Sequence, residues 1–360
     1  MTDVAARRLR TQRLTGERFA SAVAAVGWLG AVQSQDYAGA KWALGQRTAG
    51  ATDADLDRLF NQGSLLRTHI MRPTWHFVLP ADIRWLQDLT SHRVRALLAP
   101  YGRQWEVDGA LLNRSCTAVM TALRDGTHLS RRELGTALER SGIRLANLQL
   151  GYVLMHAELD ALICSGPRKG KQMTYALLAE RAPNARRLDR DEALAELTRR
   201  YFTGHGPAQP QDFAWWSGRT VADARRGLDL VGADLINELI GSKSHWSAPG
   251  PSPTMGPDPI VHLLPNYDEF LIAYRDRSAA AELAQGRGLA PLPEASFLAH
   301  LLILNGQVWG GWKRRNEPRR VVVDLGWVHP LDADERAALE RAAGELATFI
   351  DLPVTVERLN

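Results

Sequence analysis

Apolar residues recur at helical spacing over residues 17–26 and again over 53–60, where Thr52 is a candidate N-cap. Residues 65–78 then turn β-branched and aromatic around Met71-Arg72-Pro73, which predicts two short strands joined by a turn. A further helix opens at Pro80-Ala81-Asp82 and is expected to stop before Pro100, whose ring and missing N–H oppose continuation.

The same sequence of short helices followed by strand-like residues returns. Helical spacing over 111–123 is followed by Ser130 with Glu133 three residues on, a capping-box pattern that starts a helix ending at Gly142. A third apolar-faced helix covers Asn147–Leu159. Two short strands at 161–164 and 171–175 then flank the turn Ser165-Gly166-Pro167-Arg168-Lys169-Gly170. A helix pair followed at once by a hairpin with a basic tip is the order of a winged helix. A third run of helices, at 190–201, 209–217 and 221–230, repeats the helical part, its wing less obvious.

After about residue 231 the texture becomes strand-like. Residues 250–259 are rich in Pro and Gly and read as a loop. Apolar runs at 260–264, 307–312 and 320–325 read as strands, Asn305-Gly306 is a type I′ hairpin signal, and residues 333–350 carry helical spacing. The expected fold class is α+β and helix-rich. Its units are 1–107, 108–188 and 189–235 (the helical part of the third), with a β-rich, small-barrel-like domain and its closing helix at 236–360.

Composition narrows the class. The 360 residues are 45 % hydrophobic and 23 % charged, which fits a folded globular chain. No apolar run reaches membrane-spanning length, and the charged N-terminus lacks a signal-peptide core, so a cytoplasmic, nucleoid-associated protein is expected. The two cysteines, Cys116 and Cys164, form no metal-binding or redox spacing, and no cofactor or metal is expected. The net charge of +4 is unevenly spread. Residues 1–200 hold 29 Lys and Arg against 20 Asp and Glu, and residues 201–360 hold 15 against 20. A basic N-terminal half points to a polyanion, here double-stranded DNA.

The cations that would meet it are Arg168, Lys169 and Lys171 at the hairpin tip, and Arg131 and Arg132 at the start of the preceding helix. Lys313 and Arg314, with Arg315, follow the Asn305-Gly306 hairpin and are candidates for a DNA-facing strand end. Trp75 and His76 should point to opposite faces of a strand, and Trp215-Trp216 should fill the core of the third unit. His69 and His76 carry no catalytic assignment. Asp36 is expected to cap a helix or turn.

Gln33-Ser34-Gln35 is the most unusual stretch, two glutamines one residue apart among small and apolar neighbours. Buried side-chain amides need partners for both ends, so local backbone satisfaction explains them as a structural feature. The chain nevertheless resembles the HTH_42 family of winged-helix proteins, the AlkZ- and YcaQ-like DNA glycosylases. The residues that carry the resemblance are Val32-Gln-Ser-Gln-Asp36, the 67–78 segment from Arg67-Thr-His to Trp75-His-Phe-Val78, Leu263-Leu-Pro-Asn-Tyr-Asp268 with Tyr274-Arg-Asp-Arg277, and Val308-Trp-Gly-Gly-Trp-Lys-Arg314. The resemblance implies a C-shaped protein of three tandem winged helices on a β-barrel-like base, acting on alkylated purines. It also implies Gln33 and Gln35 as the catalytic pair, in the AlkZ-like Gln-x-Gln form, with Ser34 where that branch usually has an aliphatic residue.

Glutamines suffice when the leaving base already carries positive charge. An N7-alkylguanine departs neutral without protonation, so the reaction needs a positioned water more than a strong base. Gln35 is assigned to hold that water and Gln33 to help place it and the DNA backbone. With no Lys nucleophile in the motif, the enzyme would be monofunctional. Tandem units on one chain suggest a monomer. The alternative is a non-catalytic winged-helix protein, a transcription regulator or a damage-binding resistance factor, which has no need of the glutamine pair.

Overall fold

Capping residues decide where the helices begin. The computed structural model describes residues 4–250, 256–281, 299–328 and 330–358. In chain order its first elements are α1 (Val4–Thr11), α2 (Ala22–Leu29), β1 (Val32–Gln33), α3 (Tyr37–Arg47), α4 (Asp53–Gln62), β2 (Leu66–His69) and β3 (Trp75–Val78). Next come α5 (Ile83–Gln104), α6 (Gly109–Ala122), β4 (Leu129–Ser130), α7 (Arg131–Arg140), α8 (Asn147–Leu159), β5 (Ile163–Lys169), β6 (Gln172–Leu177) and α9 (Leu178–Arg181). The rest are α10 (Arg190–His205), α11 (Pro210–Ser217), α12 (Val221–Val231), β7 (Ile236–Ile240), β8 (Lys243–Ser247), β9 (Val261–Leu264), α13 (Glu269–Ile272), β10 (Leu301–Leu304), β11 (Gln307–Asn316), β12 (Val321–Val328), α14 (Ala333–Ile350) and β13 (Val354–Arg358).

The chain divides into two compact units. One comprises Met1–Leu56, Ala195–Trp216 and Thr220–Asn360, and the other Asp57–Leu194 with Ser217–Arg219. In the second unit, β4 pairs with β6 and β6 with β5, giving the order helix, short strand, helix, helix, hairpin. Ser130 and Glu133 form the expected capping box at α7. The core joins Val119, Leu134, Leu138, Val153, Leu154 and Ile163, with Leu129 of β4 and Tyr175 and Leu177 of β6 packed against it.

The first unit repeats that order with α10, α11, α12 and the β7–β8 hairpin, and Ala208 stands in for the short strand by pairing with Trp246. The β7–β8 hairpin follows α12 directly, with Ile236–Ile240 paired antiparallel to Lys243–Ser247. Along the chain α2, β1, α3, α4, β2 and β3 follow the same sequence of elements.

The rest of the first unit is built on a five-stranded sheet, ordered β13-β12-β11-β10-β9. It is antiparallel except for the parallel β12–β13 pair. It curls into a half-barrel, in line with the barrel-like domain expected. Helix α14 packs on both edge strands, β9 and β13, and so covers the opening. Asn305 and Gly306 have φ of 49° and 81°, as the type I′ turn between β10 and β11 requires. Helix α1 contributes Ala5 and Leu9 to a core with Leu264, Phe270, Leu301 and Ile303.

Two expectations are corrected, and a third falls partly outside the described residues. The helix expected at 17–26 is α2, which starts after Ser21, whose hydroxyl accepts the Ala24 N–H. Helix α5 does not stop before Pro100 but runs through it to Gln104. The carbonyl deprived of its partner belongs to Ala96, an exposed residue that water can satisfy, while Val94, Leu98 and Gly102 hold the opposite face in the core. The Pro/Gly loop expected at 250–259 lies partly outside the described residues.

Candidate active site and nucleic-acid interface

Gly30 ends α2 at φ 79°, a left-handed conformation that glycine tolerates, and turns the chain into β1. Gln33 and Ser34 are buried, whereas Gln35 is exposed. Asp36 then caps α3 as expected, its Oδ1 accepting the Gly39 N–H at 3.1 Å. The two glutamines therefore differ in surroundings. Gln33 is anchored in the interior, and Gln35 stands at the surface just before a helix N-terminus.

The anchor comes from the first residue of α13. Glu269, almost fully buried, accepts the Gln33 backbone N–H on Oε1 at 2.9 Å and the Trp216 indole N–H on Oε2 at 2.9 Å. His205 brings Nε2 within 3.5 Å of Oε2. Its neighbour Asp268 takes both terminal nitrogens of Arg47, at 2.7 and 2.9 Å, in a buried bidentate pair. Arg47 also donates to Gln12, and Gln12 in turn donates to the Tyr274 hydroxyl at 3.0 Å. Burial pushes the Tyr274 and Tyr201 phenols above the ordinary tyrosine range, so both stay protonated donors, to the His205 and Ala273 carbonyls.

Asn266 and His300 stand beside the start of α3. A β-carbon placed at Gly39 would lie 3.1 Å from both Asn266 Oδ1 and Asp36 Oδ2, so glycine lets the loop approach this closely. The Asn266 N–H donates to His300 Nδ1 at 3.1 Å, and the His300 ring lies 4.8 Å from that of Trp312. Burial lowers the His300 pKa, the Asp36 carboxylate works against that shift and Arg314 works with it. Lys41 is tied to Asp53 at 2.7 Å and is almost fully buried.

Of the cations singled out in sequence, Lys313 and Arg314 lie exposed on the outer half of β11, where Arg314 donates to Asn316 at 2.7 Å. Arg315 is bound to Asp324 and Glu357 instead. At the β5–β6 tip, Arg168 is held inward by Asp57 at 2.8 Å, and its backbone N–H donates to Asn61. Lys169 reaches Glu133 at 3.1 Å. Hydrogen bonds from the Ser130 backbone and hydroxyl, then from Lys169, hold the Glu133 carboxyl at about 2. Lys171 and Arg132 are exposed, and Arg131 donates to the Asn147 carbonyl. The three tip cations thus differ, with two in ion pairs. Helix α8, which follows α7 as a reading helix would, is buried along Tyr152, Val153, Leu154 and Ala157.

Trp216 is fully buried in a ring cluster with Tyr201 and His205, while Trp215 is half-exposed and donates to the Ile272 carbonyl. Trp75 and His76 point to opposite faces as alternation requires, and His69 pairs with buried Glu158. Glu269, Arg47 and His300 were not singled out in sequence, and Asn266 and Asp268 entered only through the 263–268 block that carries the resemblance, with no role assigned. The acidic pair Asp268-Glu269 before Phe270-Leu271-Ile272 signals only a helix start, because its partners are far along the chain. Among the described residues no group of three or more His, Cys, Asp or Glu could hold a metal. None of the described helices is long and apolar enough to cross a membrane.

The family described as "DNA glycosylase AlkZ-like" matches residues 26–349, a span that includes the glutamine pair and the loop beneath it. The chain belongs to the AlkZ-like DNA glycosylases. It is 24 % identical over 324 residues to the interstrand DNA cross-link repair glycosylase of Streptomyces sahachiroi, covering 86 % of this chain and 87 % of the relative. The solved structure of Streptomyces sahachiroi DNA glycosylase AlkZ matches with a TM-score of 0.77 at 22 % identity, over 99 % of this chain and 98 % of that one. That likeness carries the mixed helix–strand fold.

Proposed function

We propose that this AlkZ-like enzyme is a monofunctional glycosylase for alkylated purines in double-stranded DNA, N7-alkylguanine above all, with bulky adducts and interstrand crosslinks in its range. The observation that carries the reading is the intact glutamine pair, with Gln33 seated on a buried carboxylate and Gln35 exposed. In this reading the Gln35 carbonyl accepts a hydrogen bond from a water and aims it at C1′. The C1′–N9 bond breaks, and its electron pair returns to the purine and neutralises the charge at N7. The new C1′–O bond forms as the water gives up its proton to solvent. Gln33 helps place the water and the DNA backbone. Lys41, locked to Asp53, is no Schiff-base nucleophile. The name of the Streptomyces sahachiroi relative supports the crosslink range.

The three helix-and-hairpin runs are read as tandem winged helices whose outer cations meet phosphates, chiefly Arg132, Lys171, Lys313 and Arg314, with Arg131, Arg168 and Lys169 as supports. A monomer acting without cofactor or partner protein completes the proposal.

A duplex carrying one N7-methylguanine tests it. Single-turnover release of the base well above the spontaneous rate is expected, and a Gln35→Ala variant should lose about 100-fold of that rate. Absence of release from this lesion and from a bulkier N7 adduct overturns the enzyme assignment. Full activity in Gln35→Ala overturns the role given to Gln35.

A further inference from the structure

We propose that Glu269 is the positioning residue of the Gln33-Ser34-Gln35 segment, acting through the Gln33 backbone; this rests on the glycosylase reading above. An ionised carboxylate is acceptor-only, and each of its oxygens meets an N–H, from Gln33 on one side and Trp216 on the other. Glu269, Trp216 and His205 are each 1 % exposed or less, so no bulk water can take over a lost bond. A buried acceptor is costly unless its bonds are made, and the bond to Gln33 ties β1 to the core.

The adjacent residue makes the arrangement two-sided. Asp268 grips Arg47 at the end of α3, and Glu269 grips β1 before it. The Gln-x-Gln turn lies between those two points. Asp36 fixes the remaining end by capping α3. A short acidic pair thereby sets the backbone from which Gln35 reaches its water. Glu269 touches no reacting atom in this account. It acts by holding Gln33, whose displacement by even an ångström would misaim the pair.

Glutamine at 269 separates positioning from bulk. Its amide oxygen can serve only one of the two donors, and its NH₂ then faces the other donor. In Glu269→Gln we expect hydrogen–deuterium exchange of residues 30–37 to rise about tenfold or more. Base release from the N7-methylguanine duplex should fall about tenfold, with DNA affinity within about twofold of the parent. Adding Trp216→Phe removes the opposed donor and lets the amide oxygen turn to Gln33. The double variant should therefore regain local protection and most of the lost rate, although it carries a second core truncation. If the single variant does not fold, the double variant alone is compared with Trp216→Phe, and matching rate and exchange are expected.

A single variant with parental exchange and rate overturns the proposal. So does a double variant slower and less protected than the single, the result a merely structural role gives. If the parent enzyme releases no base, the glycosylase reading falls, while the exchange data still decide whether Glu269 fixes the segment.

Discussion

Gln33 and Gln35 are neighbours in sequence and opposites in environment, and this difference organises the residue scale. A buried amide is held in one geometry by its surroundings, whereas Gln35 is exposed to solvent. Further into the same unit, His262 is fully buried in β9, and burial, aided by the Arg47 charge, holds its pKa down at about 4 against an ordinary 6.5. The unfolded chain therefore takes up this proton first as pH falls. Stability is complete above pH 6.5 and declines as pH drops toward 4, by about 3 kcal/mol for this group. Urea unfolding at pH 7 and pH 4.5 should show a smaller pH loss in His262→Leu than in the parent; equal losses would remove His262 from the account. Gln33 and Gln35 stood out in sequence as two uncharged amides among small residues, and their proposed role came from the family resemblance. Glu269 did not, since its role depends on partners that stand 53, 64 and 236 residues away in the chain.

Elements bounded by local chemistry were readable, and those bounded by distant packing were not. The helix at Asn147–Leu159 and the capping box of α7 follow from spacing and caps within a few residues. The passage of α5 through Pro100 does not, because the buried face that sustains the helix belongs to tertiary packing. The β5–β6 tip shows the same limit. Arg168, Lys169 and Lys171 look alike in sequence, yet Asp57 and Glu133 engage the first two. Arg168→Ala is expected to cost about 1 kcal/mol of stability, its partner being partly exposed. Lys171→Ala should leave stability unchanged and weaken binding to every duplex sequence alike, lowering the salt slope by about 0.9. Parallel denaturation and binding titrations separate the two, and a Lys171 effect confined to one sequence would return the hairpin to base reading.

For the whole molecule, the charge imbalance between the chain's halves becomes a statement about binding thermodynamics. Four cations are assigned to phosphates with little internal competition: Arg132, Lys171, Lys313 and Arg314. If each displaces one condensed counterion, log K should fall with log salt at a slope of about −3.6, which is roughly 150-fold weaker binding between 50 and 200 mM salt. A lesion-directed enzyme needs this nonspecific grip, because its target has no fixed sequence context, and under the proposed function the lesion would be distinguished at the chemical step by its positive charge. The slope should therefore be the same for undamaged duplexes of any sequence, with one protein per short duplex by analytical ultracentrifugation. A regulator would behave differently, with two protomers on a symmetric site and a specificity ratio that survives at high salt. A slope near −1, or cooperative binding of two chains, would mean that the exposed cations do not carry the DNA and that the basic half of the chain has another purpose.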